Sequence, residues 1–247
     1  MAVWALIGFM GCGKSSIGRT VQRLATASPV ADTDSGPVVS GKMLFIDLDE
    51  EIVQREGRSI PEIFSAVGES GFRAIERDTL AQLLSAVSTC PFGSSLRSPH
   101  HPFGTVPPLS NRGCYVPQGQ VPLPDRAQLK NDLHPSDLLL SLGGGTLTDE
   151  GSRELVKKNC KCIYLRATVE TLAANLREAG TEGRPMLAGV NLDAPASAPD
   201  SLESHIASMM ATRGPIYEKA ADIILDIDGL SYEQAARQIL SIKSSGS

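Results

Sequence analysis

Short apolar runs recur along the chain with more polar stretches between them: VWALIG (3–8), MLFIDLD (43–49), DLLLSLGGG (137–145), CKCIYL (160–165) and ADIILDI (221–227). Each run is continuously hydrophobic rather than alternating, which predicts strands buried on both faces. The segments that separate them carry helix signals: 15–25 after a glycine turn, 59–87 with Pro61 near its start, then 168–179, 202–220 and 231–243. Strand and helix alternate throughout. The expected fold is therefore α/β, a doubly wound parallel sheet flanked by helices, with ligands in the crevice at the carboxyl ends of the strands.

Three stretches break the pattern. Residues 91–135 hold nine of the sixteen prolines and three of the four histidines. Prolines at that density forbid helix and interrupt sheet ladders, so a long flexible insertion is expected there. Residues 180–200, rich in small residues and proline around Arg184, read as a lid. The loop at 26–42 is also longer than a usual connection. No internal repeat is visible, and 1–247 reads as a single domain.

Composition narrows the partners. Lys plus Arg number 23 against 28 Asp plus Glu, a net charge of −5, so no basic face for nucleic acid is implied. No apolar run approaches the roughly 18 residues of a membrane span, and the chain enters its first strand without a charged leader; a cytoplasmic protein is expected. Cys12, Cys90, Cys114, Cys160 and Cys162 lack paired CxxC spacing, which favours free thiols over a metal site.

The candidate chemistry begins at GFMGCGKSS (8–16), which fits GxxxxGK[ST] through Gly8, Gly13, Lys14 and Ser15. Glycines let successive backbone N–H groups turn inward onto a polyphosphate, and the following helix adds the positive end of its dipole. Lys14 is placed to neutralise terminal phosphates and the Ser15 hydroxyl to ligate magnesium. The loop residues Gly11, Cys12, Gly13, Lys14, Ser15 and Ser16 are thus candidates for ATP binding.

The acceptor must be read elsewhere. Asp47 and Asp49 in FIDLDEEI stand two apart at the expected end of the second strand, suited either to magnesium and substrate hydroxyls or to helix capping. Arg73 and Glu76 in GFRAIERD share a helix face, as a site pair or as a surface ion pair. Gly143, Gly144 and Gly145 after the third strand suit close backbone approach to a ligand, or a tight turn. Arg213 in RGPIY and Arg184 in GRPML are candidates to grip a carboxylate and a transferring phosphate.

The ordered set of P-loop, DLD, GFRxxE, GGG, RPML and RGPIY, spread over residues 8–217, resembles shikimate kinase. The resemblance implies a P-loop NTPase fold of the nucleoside monophosphate kinase kind, with a five-stranded parallel sheet in the order 2-3-1-4-5. It implies ATP and shikimate as substrates, Mg2+ as cofactor, and transfer of the terminal phosphoryl group to the 3-hydroxyl of shikimate in aromatic amino acid biosynthesis. Asp49 would bind shikimate hydroxyls and act as base; Arg73 and Arg213 would clamp the carboxylate, with Gly143, Gly144 and Gly145 bordering the ring. Glu76 would orient the arginine. Asp47 would serve magnesium through water, and Ser141 stands at the family's Walker B position. Arg184 would close with the lid onto phosphate, Arg177 would pack on adenine, and a monomer is expected. Two rivals stand beside this: a gluconate kinase-like enzyme, and a catalytically silent nucleotide-binding module. The family joins the helix after GFRxxE to the strand before GGG by a short link, so residues 91–135 are a departure, expected to leave the site untouched.

Overall fold

The computed structural model describes residues 2–26, 43–88, 137–180, 184–187, 190, 194–196, 198 and 200–245. The insertion expected at 91–135 lies outside the described residues, as do Cys90, Cys114, nearly all of the 26–42 loop and much of the lid at 180–200.

Strands β1 (Ala2–Ile7), β2 (Met43–Asp47), β3 (Asp137–Ser141), β4 (Lys161–Arg166) and β5 (Ile223–Asp226) form one parallel sheet in the order β2-β3-β1-β4-β5. This is the expected order. The three inner strands behave as their continuous apolar runs predict: Trp4–Ile7, Leu138–Leu140 and Cys162–Leu165 are all buried. The edge strand β5 does not. Ile224 is 43% exposed while Leu225 is buried, because a strand with a neighbour on one side only has a face the helices do not fully cover.

Seven helices flank the sheet among the described residues: α1 (Lys14–Thr26), α2 (Leu48–Glu56), α3 (Ile60–Ser88), α4 (Glu150–Asn159), α5 (Val169–Ala179), α6 (Leu202–Ala220) and α7 (Tyr232–Ser245). Helices α2 and α4 have no counterpart in the sequence reading. The second strand is shorter than 43–49: it ends at Asp47, which adopts an extended φ of −96° and caps α2. Asp49 accordingly sits in the first turn of a helix, not at a strand end. Helix α3 is not continuous either, since Gly68, at φ 70° and ψ −177°, breaks it. That conformation is essentially restricted to glycine, and it lets Ile60 and Phe64 before the break and Phe72, Arg73 and Glu76 after it line one pocket.

Gly18 marks the tightest helix-to-sheet contact. A Cβ there would lie 2.0 Å from Cε2 of Phe45, where α1 crosses β2. Helix propensity alone favours alanine by about 1 kcal/mol, and overpacking opposes it by about 1–3 kcal/mol. Gly18→Ala is expected to lower the urea midpoint, and a raised midpoint would show that the ring yields freely.

Because β1 lies between β3 and β4, the chain leaves β1 toward one side and later crosses to the other. The loops after β1 and β3 therefore open into one crevice. They touch: the Leu142 N–H donates to the Leu6 carbonyl at 3.1 Å, and a Cβ on Gly144 would lie 3.0 Å from the Met10 nitrogen.

Candidate active site

The loop after β1 is held by glycine conformations and by its own lysine. Gly8, Gly11 and Gly13 have φ of 143°, 82° and 78°, and a Cβ on Gly8 would meet the Leu165 carbonyl oxygen at 2.7 Å. The Lys14 ammonium is buried and donates to the carbonyls of Gly8 (2.9 Å) and Phe9 (2.8 Å) and to Cys12 Sγ (3.5 Å). Asn175 of α5 donates to the Gly11 carbonyl at 2.8 Å, pinning the loop from outside. Helix α1 begins at Lys14, so its first-turn N–H groups and dipole face the loop.

Asp47 joins this loop to the next. Its Oδ2 accepts from Ser15 Oγ at 2.5 Å, and its Oδ1 accepts from the N–H of Asp49 at 3.0 Å and of Glu50 at 3.4 Å. The capping and site readings of Asp47 are thus both visible in one side chain. A hydroxyl and a carboxylate so close are hard oxygen donors of the kind Mg2+ takes alongside phosphate oxygens and water. Ser141, buried at the end of β3, stands opposite Asp47 in the β2–β3 register.

Asp49 opens partly onto the cleft, yet its carboxyl is pushed up from its ordinary 3.8 to about 7. Burial is the main cause; the carboxylates of Asp47 and Glu76 raise it further, and Lys14 and Arg73 oppose the shift. A carboxyl that titrates near 7 is suited to accept a proton at neutral pH.

Arg73 and Glu76 form no surface pair. Glu76 is fully buried, Arg73 exposes 12% of its side chain, and Arg73 Nη1 donates to Glu76 Oε2 at 2.7 Å. Glu69 approaches Arg73 Nη2 at 3.4 Å. Arg73 Nε is buried without a hydrogen-bond partner among the described residues, a donor that an anionic ligand would satisfy. The glycine triplet makes room for these groups. A Cβ on Gly145 would lie 2.1 Å from Arg73 Nη2, and one on Gly143 would lie 2.7 Å from Glu76 Oε1 and 2.9 Å from Asp49 Oδ1.

Arg213, on α6, is 7% exposed and has no carboxylate partner among the described residues. Its Nη1 donates to the Gly144 carbonyl at 3.5 Å, which Tyr217 also donates to, the Tyr217 hydroxyl is a polar neighbour, and its guanidinium lies 5.9 Å from the Phe9 ring centroid. Arg184 donates to the Gly180 carbonyl, and its partial burial lowers its pKa. Asp49, Arg73, Glu76, Gly143, Gly144, Gly145, Arg184 and Arg213 line one cavity of about 130 Å³. Met10, Ile60, Phe64, Phe72, Pro185 and Met186 complete its wall; in the sequence they look like core or lid residues. Arg177 is elsewhere, in a two-pronged pair with Glu203 of α6 at 2.5 and 2.9 Å. Thr146, also unremarked in the sequence, donates from Oγ1 to Glu76 Oε1 at 2.5 Å.

A parallel sheet in this order, with a glycine-rich GK[ST] loop after its central strand and a polar cavity beside it, is a P-loop kinase fold. The shikimate kinase family model matches residues 40–91 and 125–243. The chain belongs to the shikimate kinase family. It is 28% identical over 235 residues to a shikimate kinase of Stenotrophomonas maltophilia, covering 95% of this chain and 88% of that one. A Coxiella burnetii shikimate kinase is 25% identical over 235 residues, with 95% and 89% covered. Among solved structures, a shikimate kinase from Acinetobacter baumannii in complex with shikimate superposes with a TM-score of 0.62 at 21% identity, over 99% of this chain and 94% of that one. The enzyme from Aquifex aeolicus gives 0.57 at 22% identity, over 99% and 98%. Among the described residues no helix is long and apolar enough to cross a membrane, and Cys12, Cys160 and Cys162 are free thiols.

Proposed function

We propose that this chain is a shikimate kinase, transferring the terminal phosphoryl group of ATP to the 3-hydroxyl of shikimate. One observation carries the reading: among the described residues Arg213 is buried without a carboxylate partner, and it lines the same cavity as Arg73, whose Nε has no acceptor among them. Arg73 keeps one unsatisfied donor beside its pair with Glu76, and Arg213 is a buried charge facing no carboxylate among the described residues, so a small anion between them would satisfy both, since a buried unpaired charge is costly. A ring carboxylate satisfies both. The relatives named shikimate kinase, and the A. baumannii structure holding shikimate, support the choice of ring acid.

The chemistry then follows from positions. Arg73 and Arg213 hold the carboxylate, which points the opposite edge of the ring toward Asp49 and the P-loop. Asp49 takes the proton of the attacking hydroxyl as its oxygen bonds to the terminal phosphorus, and the bond to the bridging oxygen of ADP breaks. Lys14 and the N–H groups at the start of α1 stabilise charge on the phosphates, and Arg184 adds a donor from the lid. Ser15 and Asp47 would hold Mg2+, which when bound neutralises phosphate charge. Arg177 is assigned to the adenine end of the nucleotide, beside the P-loop contact of its neighbour Leu176.

The test is ADP formation by purified full-length protein with magnesium and ATP, and with shikimate, gluconate or neither as acceptor. Rapid turnover with shikimate alone is expected. Turnover with gluconate instead, or ATP hydrolysis indifferent to either acid, would overturn the assignment.

A further inference from the structure

Thr146 lies in the short 3₁₀ turn Thr146–Thr148 that follows the glycine triplet, and it is fully buried. Its backbone N–H donates to the Gly143 carbonyl at 3.1 Å, so the turn fixes the position of the side chain. The hydroxyl points at Glu76 Oε1 across 2.5 Å, while the other oxygen of that carboxylate receives Arg73 Nη1 at 2.7 Å. Three oxygens converge on the space a Gly143 Cβ would take: Glu76 Oε1 at 2.7 Å, Asp49 Oδ1 at 2.9 Å and Thr146 Oγ1 at 3.1 Å.

Two carboxylates this close repel each other, and neither is free to drift if the site is to work. Arg73 restrains one oxygen of Glu76 but can follow it, because a long side chain moves with its partner. A hydroxyl on a backbone-fixed turn cannot follow. An apolar side chain would fill the same buried volume without the cost of burying a hydroxyl, so the hydroxyl is accounted for by the carboxylate it meets.

We propose that Thr146 is a positioning residue of the acceptor site: its hydroxyl anchors the Glu76 carboxylate, which in turn orients the Arg73 guanidinium toward the acceptor and keeps Glu76 from moving onto Asp49. The proposal rests on the acceptor reading above. It assigns Thr146 no contact with substrate.

Thr146→Val keeps the shape and removes the hydroxyl. With shikimate as acceptor, its KM for shikimate rises about tenfold, the size expected for a lost hydrogen bond to a buried charge, while its KM for ATP stays within about twofold of wild type. Thr146→Ser restores the shikimate KM. An unchanged shikimate KM, equal weakening toward both substrates, or a serine variant as impaired as valine would each overturn the proposal. Should the valine variant not fold, Thr146→Ala removes the same hydroxyl with less demand on shape. A crystal structure of the hydroxyl-less variant separates this proposal from the functional reading. If the wild-type protein does not phosphorylate shikimate, the reading falls; Thr146 is then judged by whether Glu76 leaves Arg73, and a Glu76–Arg73 contact unchanged from wild type overturns the anchor.

Discussion

Asp49→Asn is expected to reduce phosphoryl transfer by about 10²–10⁴-fold, the range for removing a general base, while nucleotide affinity changes little. Asparagine keeps the side-chain shape and cannot take a proton. Asp49 has Gly143 and Glu76 as neighbours, on the side of the cleft proposed for the acceptor, whereas the proposed nucleotide contacts belong to the loop after β1. Equal loss of nucleotide binding and turnover would count against the role as base. The same residue sets the pH dependence. With its carboxyl pushed up to about 7, the ionised form required of a base is depleted as pH falls through 7, so kcat/KM for shikimate should drop tenfold per pH unit below that point and level off above it. A profile flat down to pH 5.5 would contradict the assignment.

Stability supplies an independent sign. The folded-state pKa of Asp49 is raised from its ordinary 3.8 to about 7, so folding takes up a proton between those values. The stability this gives is present in full below pH 3.8 and is lost as pH rises toward 7, after which the native protein carries the full cost of the charge. Asparagine has no such charge. Asp49→Asn should therefore melt higher than wild type at pH 8, by about 1–3 kcal/mol of stability, and show no such gain near pH 4.

Lys14→Ala is expected to lower turnover by about 10²–10³-fold, as for deletion of a preorganised charge-stabilising donor, and to weaken nucleotide binding as well. The two effects go together here because Lys14 belongs to the loop that would hold the nucleotide throughout. In the described structure its ammonium spans the Gly8 and Phe9 carbonyls, so it stands inside the cradle rather than at its rim. Nucleotide titration and initial rates measure the two effects, and a variant that binds nucleotide as wild type would show that the lysine is not at the phosphates.

How much of this was legible depended on how local each feature is. The P-loop was readable because strand, glycine turn, lysine and helix follow one another within the first two elements, and the inner strands because burial on both faces leaves unbroken apolar runs. Asp49, Arg73 and Arg213 are separated by most of the chain, and residue by residue each had an ordinary alternative. Only their order with the other motifs set them apart. Asp47 shows why the boundary was misplaced: DLD reads as more strand, but the second residue before Asp49 caps a helix with its own side chain. Gly68 was hidden because its amphipathic flanks both look helical, and the break is a matter of one residue's φ and ψ. Thr146 and the apolar wall from Met10 to Met186 were silent for another reason. A threonine in a turn or a phenylalanine in a helix carries no sign of what lies across a pocket that only the fold assembles.

The proposed activity requires an anion site formed by Arg73 and Arg213 beside the loop after β1. Calorimetric titration of shikimate into the magnesium–ADP form of the wild-type protein and of Arg213→Met tests it most directly. One site per chain is expected for the wild type, weakened by about 10–100-fold in the variant, as for loss of a charge-assisted contact to a carboxylate. Absence of binding to a folded wild-type protein, or equal affinity in both, would contradict it.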